Sequence, residues 1–205
     1  MIPYVKVEIS AMVQHNRYQQ FMKTIEIKKF IDFHKVIEDY SGSNFLFRGH
    51  TNFEWNLLPK IGRPEFRKTV PKIFKEEYVL NSWKRYASHF IIKQPVDDWD
   101  WISLSQHHGL ATRLLDWTKN PLIALFFATC DFNIDKDGSV FIFDFNNDGI
   151  NTQVAGPFDI NRSGVFFPKG ISARIISQRG VFSISNKPEK PLDKLLSNYT
   201  FTLTS

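Results

Sequence analysis

Gln106-His107-His108-Gly109-Leu110-Ala111-Thr112-Arg113-Leu114-Leu115-Asp116-Trp117-Thr118-Lys119-Asn120-Pro121 divides this chain. Helical patterns cluster before it and strand patterns after it. That segregation argues for an α+β fold, with a helical N-terminal half packed on a mostly antiparallel β core, over a doubly wound sheet. Within the stretch, polar and large apolar groups crowd together without a period, so it reads as a loop. Two His, an Arg, an Asp and a Trp in so short a span are more than a purely structural loop needs. Asn120-Pro121 opens the next helix, with Asn as N-cap and Pro in the first turn, and the helix runs to about Thr129.

Toward the N-terminus, Asp98 to His108 reads as a helix followed by Gly109. Lys72 to Ile91 reads as an amphipathic helix that buries Phe74, Tyr78, Trp83, Tyr86, Ala87 and Phe90. Asn52 to Leu58 is a second apolar piece, stopped by Pro59. Asn44 to Gly49 reads as a strand, with Arg48 at its end and Gly49 breaking it. Ile27 to Tyr40 has a rough helical face of Phe30, Ile31, Phe33, Val36, Ile37 and Tyr40, ended by Ser41-Gly42-Ser43. Val5, Val7 and Ile9 alternate, as in a short edge strand or an arm. Toward the C-terminus, strands are expected at Gly138 to Phe145, Val165 to Phe167, Ala173 to Ser177, Gly180 to Ile184 and Tyr199 to Leu203.

Composition sets the class. Of 205 residues, 42% are hydrophobic and 20 are Phe, enough for a large, Phe-rich core. The net charge of +5 is mild and allows an anionic partner without requiring one. The single cysteine, Cys130, precludes an intrachain disulfide, and this fits a reducing compartment. Met1 to Lys6 shows no signal-peptide pattern. The longest apolar run, Leu122 to Ala128, is far short of the about 20 residues that span a bilayer. The expectation is a cytoplasmic protein that does not engage a membrane.

Several chemistries are excluded by motif. The chain has no Walker A loop, Gly-x-Gly-x-x-Gly, His-Glu-x-x-His, Cys pair or Gly-x-Ser-x-Gly. Adjacent His107 and His108 point apart in most backbones, so no metal is expected. Arg48 has two readings: a fork gripping phosphate or carboxylate, or a structural ion pair. The helix at Pro121 leaves free N–H groups toward the preceding loop, an anion site to which Arg113 and Lys119 add charge. Against that, Arg113 and Asp116 pair to lock the turn, and His107 caps a helix.

Phe47-Arg48-Gly49, Trp55-x-Leu57-Leu58-Pro59, the run from Gln106 to Pro121 and Ala124-Leu125-Phe126-Phe127-Ala128 together resemble the FRG-domain family. Arg174-Ile175 and Gln178-x-Gly180-x-Phe182 extend the resemblance. It implies an N-terminal arm over 1–24, an FRG domain over 25–184 and a C-terminal extension over 185–205. His50 stands where Gln is usual in that family, and His108 where Tyr is common.

A more distant resemblance is to mono-ADP-ribosyltransferases of the Arg–Ser–Glu type. Phe47-Arg48-Gly49 matches their first motif, Leu115-Asp116-Trp117-Thr118 with Ala124 and Phe127 the second, and Arg174 to Phe182 the third. Only Thr118 keeps a hydroxyl in the second motif, and Ser172 and Arg174 stand near the place of the catalytic Glu. This resemblance implies an NAD-binding, ADP-ribosyltransferase-like domain, a transferase or NAD glycohydrolase suited to a bacterial or phage toxin or defence effector. Arg48 and Gly49 would seat the NAD pyrophosphate, with Arg113 and Thr118 also on the cofactor. His107 would bond a ribose hydroxyl, and Asp116 or Gln178 would orient a protein or nucleic-acid acceptor or stabilise the cation.

Two other functions stand beside it. One is a non-catalytic module that binds a nucleotide or a protein. The other is nucleic-acid binding through Lys60, Arg63, Arg67, Lys68, Lys72, Lys75, Lys84 and Arg85, with Trp55, Trp83 and Tyr86 stacking on bases.

Overall fold

In the computed structural model, the described residues are 7–14, 20–69, 75–91, 94–131, 136–146, 148–168 and 180–195. The elements, in chain order, are β1 (Val7–Gln14), β2 (Gln20–Ile27), α1 (Phe30–Glu38), β3 (Phe45–His50), a short 3-10 turn (Lys60–Gly62), α2 (Pro64–Thr69) and α3 (Glu76–Ala87). They continue with α4 (Asp98–His107), β4 (Leu114–Thr118), α5 (Pro121–Thr129), β5 (Gly138–Asp144), β6 (Gly164–Phe166), β7 (Gly180–Ile184) and α6 (Leu192–Leu195). The architecture is α+β. No helix among the described residues is long and apolar enough to cross a membrane.

The chain forms two compact units. The first comprises Met1–Asn56, Trp117–Asn147 and Leu196–Ser205, and the second Leu57–Asp116 and Asp148–Leu195. The boundary falls within β4.

In the first unit the strands lie in the order β2-β1-β5-β3-β4. The hairpin β1–β2 is antiparallel, β1 runs parallel to β5, and β5 and β4 flank β3 antiparallel. Val7 and Ile9 therefore lie in an interior strand, paired on both sides, and not at an edge. Strand alternation separates two faces of β3. Phe45, Phe47 and Gly49 lie on one face, opposite Asp144, Ile142 and Val140 of β5. Leu46, Arg48 and His50 lie on the other, opposite Phe143, Phe141 and Ser139.

The first face carries the core. Phe33, Phe47, Ala124, Ala128, Val140 and Ile142 are buried together there, with Val36, Ile37 and Leu125 packed against them. Gly49 shows how tightly α5 sits on this face. A Cβ at Gly49 would overlap the Ala124 carbonyl oxygen and come within 2.7 Å of the Ala128 nitrogen. Only a residue with no side chain permits that approach of helix to strand. On α1 the apolar face is narrower than the sequence suggests. Phe33 is fully buried, whereas Phe30 and Ile31 are exposed.

In the second unit, Leu80, Trp99, Ile102, Leu114, Phe166, Phe182 and Ile184 form the core. β6 pairs antiparallel with β7, Gly164 opposite Ile184. The side of α3 that turns inward differs from the expected one. Leu80 is buried and Glu76 and Trp83 are largely covered, while Tyr78, Tyr86 and Phe90 are exposed. The Glu76, Leu80, Trp83, Ala87 spacing is the helical one, and a carboxylate occupies its first position. The reason is tertiary: Glu76 meets the nearly covered side chain of Arg113.

Candidate functional site

The first unit holds the residue most singled out by the sequence. Arg48 is half-buried within β3, opposite Phe141. The strand continues through Gly49 to His50, so Arg48 is not at the strand end and Gly49 does not break the strand. Arg48 Nε donates to His50 Nε2 at 3.0 Å. His50 is buried, and its Nδ1 lies 3.3 Å from the Trp55 carbonyl oxygen. The imidazole also packs edge-on against Phe141, at 5.0 Å between ring centroids, and against the Trp55 indole at 6.2 Å. Trp55 itself is half-exposed, at 48%. A guanidinium, an imidazole and an indole thus stand in sequence on one face of the sheet.

Ser139 belongs to the same face, opposite His50 in the ladder. Its hydroxyl is buried and has no hydrogen-bond partner among the described residues. Neither His50 nor Ser139 was a sequence candidate for a functional role. Alternation from Arg48 brings in His50, but Ser139 follows only from the β3–β5 register.

Thr118 and Gly49 are placed elsewhere. Thr118 pairs with Phe47, so it shares the core face of β3 and not the Arg48 face. Its Oγ1 accepts from Asn120 N at 3.1 Å. Asn120 Oδ1 in turn accepts from Leu122 N at 2.9 Å. These bonds cap the start of α5 with the chain's own oxygens, as the Asn-Pro signature predicts. α5 lies on the opposite face of β3 from Arg48, so this helix start does not face that guanidinium. Gly49 likewise lies on the core face of β3, against α5.

The second unit holds the other candidates. The stretch read as a loop contains β4, with Asp116 exposed between buried neighbours. Gln106 Nε2 donates to Asp116 Oδ2 at 3.1 Å, and Thr112 Oγ1 donates to Gln106 Oε1 at 2.5 Å. Thr112 Oγ1 also accepts from Leu114 N at 3.2 Å. This chain of amide, hydroxyl and carboxylate joins the end of α4 to β4. Ile61 N donates to Thr112 O and Lys60 Nζ to Gly109 O, holding the intervening turn, where Gly109 has φ of +88°.

Arg113 immediately precedes β4. It pairs with Glu76 of α3. Its backbone N donates to Glu76 Oε1 at 2.9 Å and its Nε to Oε2 at 2.8 Å. The guanidinium lies over Phe158, 5.1 Å from the ring centroid, and NH1 reaches Pro157 O at 3.4 Å. Both side chains are nearly covered, with 13% and 11% exposure. Burial pushes the Glu76 carboxyl above its ordinary value, and Arg113 pulls it back through charge and hydrogen bonds.

His107 ends α4, half-buried, with its ring 5.1 Å from that of His108. Gln178 lies outside the described residues, as do Ser172, Arg174 and the expected strands Ala173 to Ser177 and Tyr199 to Leu203. Three residues of the proposed basic surface are engaged internally, and Lys72 lies outside the described residues. Arg63 Nε donates to Leu58 O, Lys84 pairs with Asp98, and Lys60 lies over Phe66.

Residues 43–137 match the FRG domain. The FRG match holds Arg48, Gly49, His107, Arg113, Asp116 and Thr118, and it lies within the 25–184 expected for the domain. It ends one residue before β5, so Ser139 and the whole Arg174 to Phe182 resemblance fall beyond it. No curated protein and no solved structure matches the chain. The FRG match specifies no function, and the likeness to ADP-ribosyltransferases has no counterpart among these matches.

Proposed function

We propose that the FRG region binds a nucleotide carrying a diphosphate, of which NAD is the leading candidate, on the Arg48 face of the first unit. The observation that carries this is Arg48 fixed through Nε by His50, next to the half-exposed indole of Trp55. A guanidinium suits phosphate oxygens because its fork makes parallel charge-assisted bonds. An indole suits the flat face of a nucleobase or a nicotinamide. The ADP-ribosyltransferase resemblance supports NAD among diphosphate nucleotides, and it makes ADP-ribosyl transfer or NAD hydrolysis the chemistry to test. A toxin or defence role belongs to that enzymatic version.

Calorimetry with NAD and with ADP-ribose tests the binding. Saturable heat, abolished in a folded Arg48→Ala variant, is expected. No heat with either ligand, or equal affinity in the variant, removes the proposal. Nicotinamide release then separates an enzyme from a binding module: turnover by the wild type marks the first, and tight binding without release marks the second.

A further inference from the structure

Arg48 Nε–H is an obligatory donor, because a guanidinium has no acceptor. His50 Nε2, 3.0 Å away, therefore accepts and carries no proton. The imidazole proton sits on Nδ1, which faces the Trp55 carbonyl at 3.3 Å. Two contacts thus select one tautomer of a neutral ring. A second proton would go to Nε2, turning the acceptor into a donor that faces another donor and placing two cations in contact. Protonated His50 and the Arg48–His50 bond are mutually exclusive.

We propose that His50 is a positioning residue: in its neutral Nδ1–H form it holds the Arg48 guanidinium in its orientation, and protonation releases it. This deepens the reading of Arg48 as the anion grip and, for its binding arm, rests on it. Among the described residues, groups from three neighbouring segments surround the His50 ring. From β3 the charged neighbour is Arg48, and from β5 the residues alongside are Ser139 and Phe141, both uncharged. From the segment after β3, Trp55 packs on the ring, while Glu54 is paired with Lys136 at 3.1 Å. α5 packs on the opposite face of the strand.

Glutamine can reproduce both bonds, since its Oε1 accepts and its Nε2 donates, but it does not titrate. The test uses the full chain and two readouts. The first is nitrogen-resolved NMR of the His50 ring and the Arg48 Nε–H across pH. Expected are the Nδ1–H tautomer and an Arg48 Nε–H signal that shifts as His50 takes up its second proton, with no such shift in His50→Gln. An Nε2–H tautomer, or the same Arg48 titration in His50→Gln, overturns the inference. The second readout is binding of inorganic pyrophosphate. Wild-type affinity falls by about tenfold as pH drops through His50 protonation, the scale of one charge-assisted hydrogen bond, and stays flat in His50→Gln. A matching fall in His50→Gln overturns the inference while leaving the nucleotide proposal standing. Absence of pyrophosphate binding at every pH counts against the nucleotide proposal, and the NMR readout alone then decides the role of His50.

Discussion

Arg48 and Arg113 look alike in the sequence, each a cation beside bulky apolar residues, yet their surroundings differ in kind. Arg113 is clasped by a carboxylate: Glu76 meets both its backbone N–H and its Nε–H, and Phe158 lies against the guanidinium plane. Arg48 leans on an imidazole that is itself oriented by a backbone carbonyl. The first arrangement is a lock between α3 and the segment entering β4. The second depends on the protonation state of a neutral acceptor. A partly buried arginine thus signals structure or function through its partner, and only the fold supplies the partner.

The comparison breaks most severely at Arg113→Ala. That change strands the Glu76 carboxylate in a covered site, and about 3–5 kcal/mol of stability is lost. Denaturant unfolding measures it, and a loss below about 1 kcal/mol would mean that the pair is not a lock. Gly49→Ala comes next. Its Cβ meets the backbone of α5 at Ala124 and Ala128, so helix or strand must move, at about 2–4 kcal/mol. An alanine variant as stable as the wild type would show that α5 is not seated on β3 as described.

Glu76→Gln sharpens the contrast. The amide oxygen accepts only one of the two bonds from Arg113, without charge, and its NH2 faces the other donor, a cost of about 1–2 kcal/mol at neutral pH. Its pH dependence is the sharper signature. Burial raises the Glu76 value from the ordinary 4.5, so its contribution is full below that value and is lost as pH rises through the folded one. The glutamine variant lacks that decline, visible in unfolding curves as pH rises above 4.5. Arg48→Ala is the mildest for stability, at about 1 kcal/mol, the scale of one hydrogen bond. Its predicted consequence is lost nucleotide binding, so a folded Arg48→Ala protein that still binds NAD would erase the functional half of the contrast.

Much of the fold was legible because the local signals agreed. The Asn-Pro start of α5 survives as an Asn120 cap with Pro121 in the first turn. α4 spans all but the last residue expected of it, and β7 has the expected bounds. β4 was missed because Leu114-Leu115-Asp116-Trp117-Thr118 has no apolar alternation. Both faces of the strand are covered except at Asp116, which erases the period that marks a half-buried strand. On α3, Tyr78, Tyr86 and Phe90 were taken for the buried side because they are large and apolar, whereas Glu76 is inside because it has a partner there.

The amino-acid order by itself determined which segments become helices and strands over most of the described chain, that the fold is α+β, and that residues 43–137 resemble an FRG domain. Those properties rest on short-range patterns: periodicity, caps and breakers. Which side of each strand a side chain occupies, and what waits there, was settled only by pairing. The register of β3 against β4 and β5 puts Arg48 with His50 and Ser139, and puts Thr118 and the start of α5 on the reverse side. A slip of one residue would exchange those sets, since side chains alternate with period two, and strand register between distant segments is a tertiary choice that no local pattern encodes.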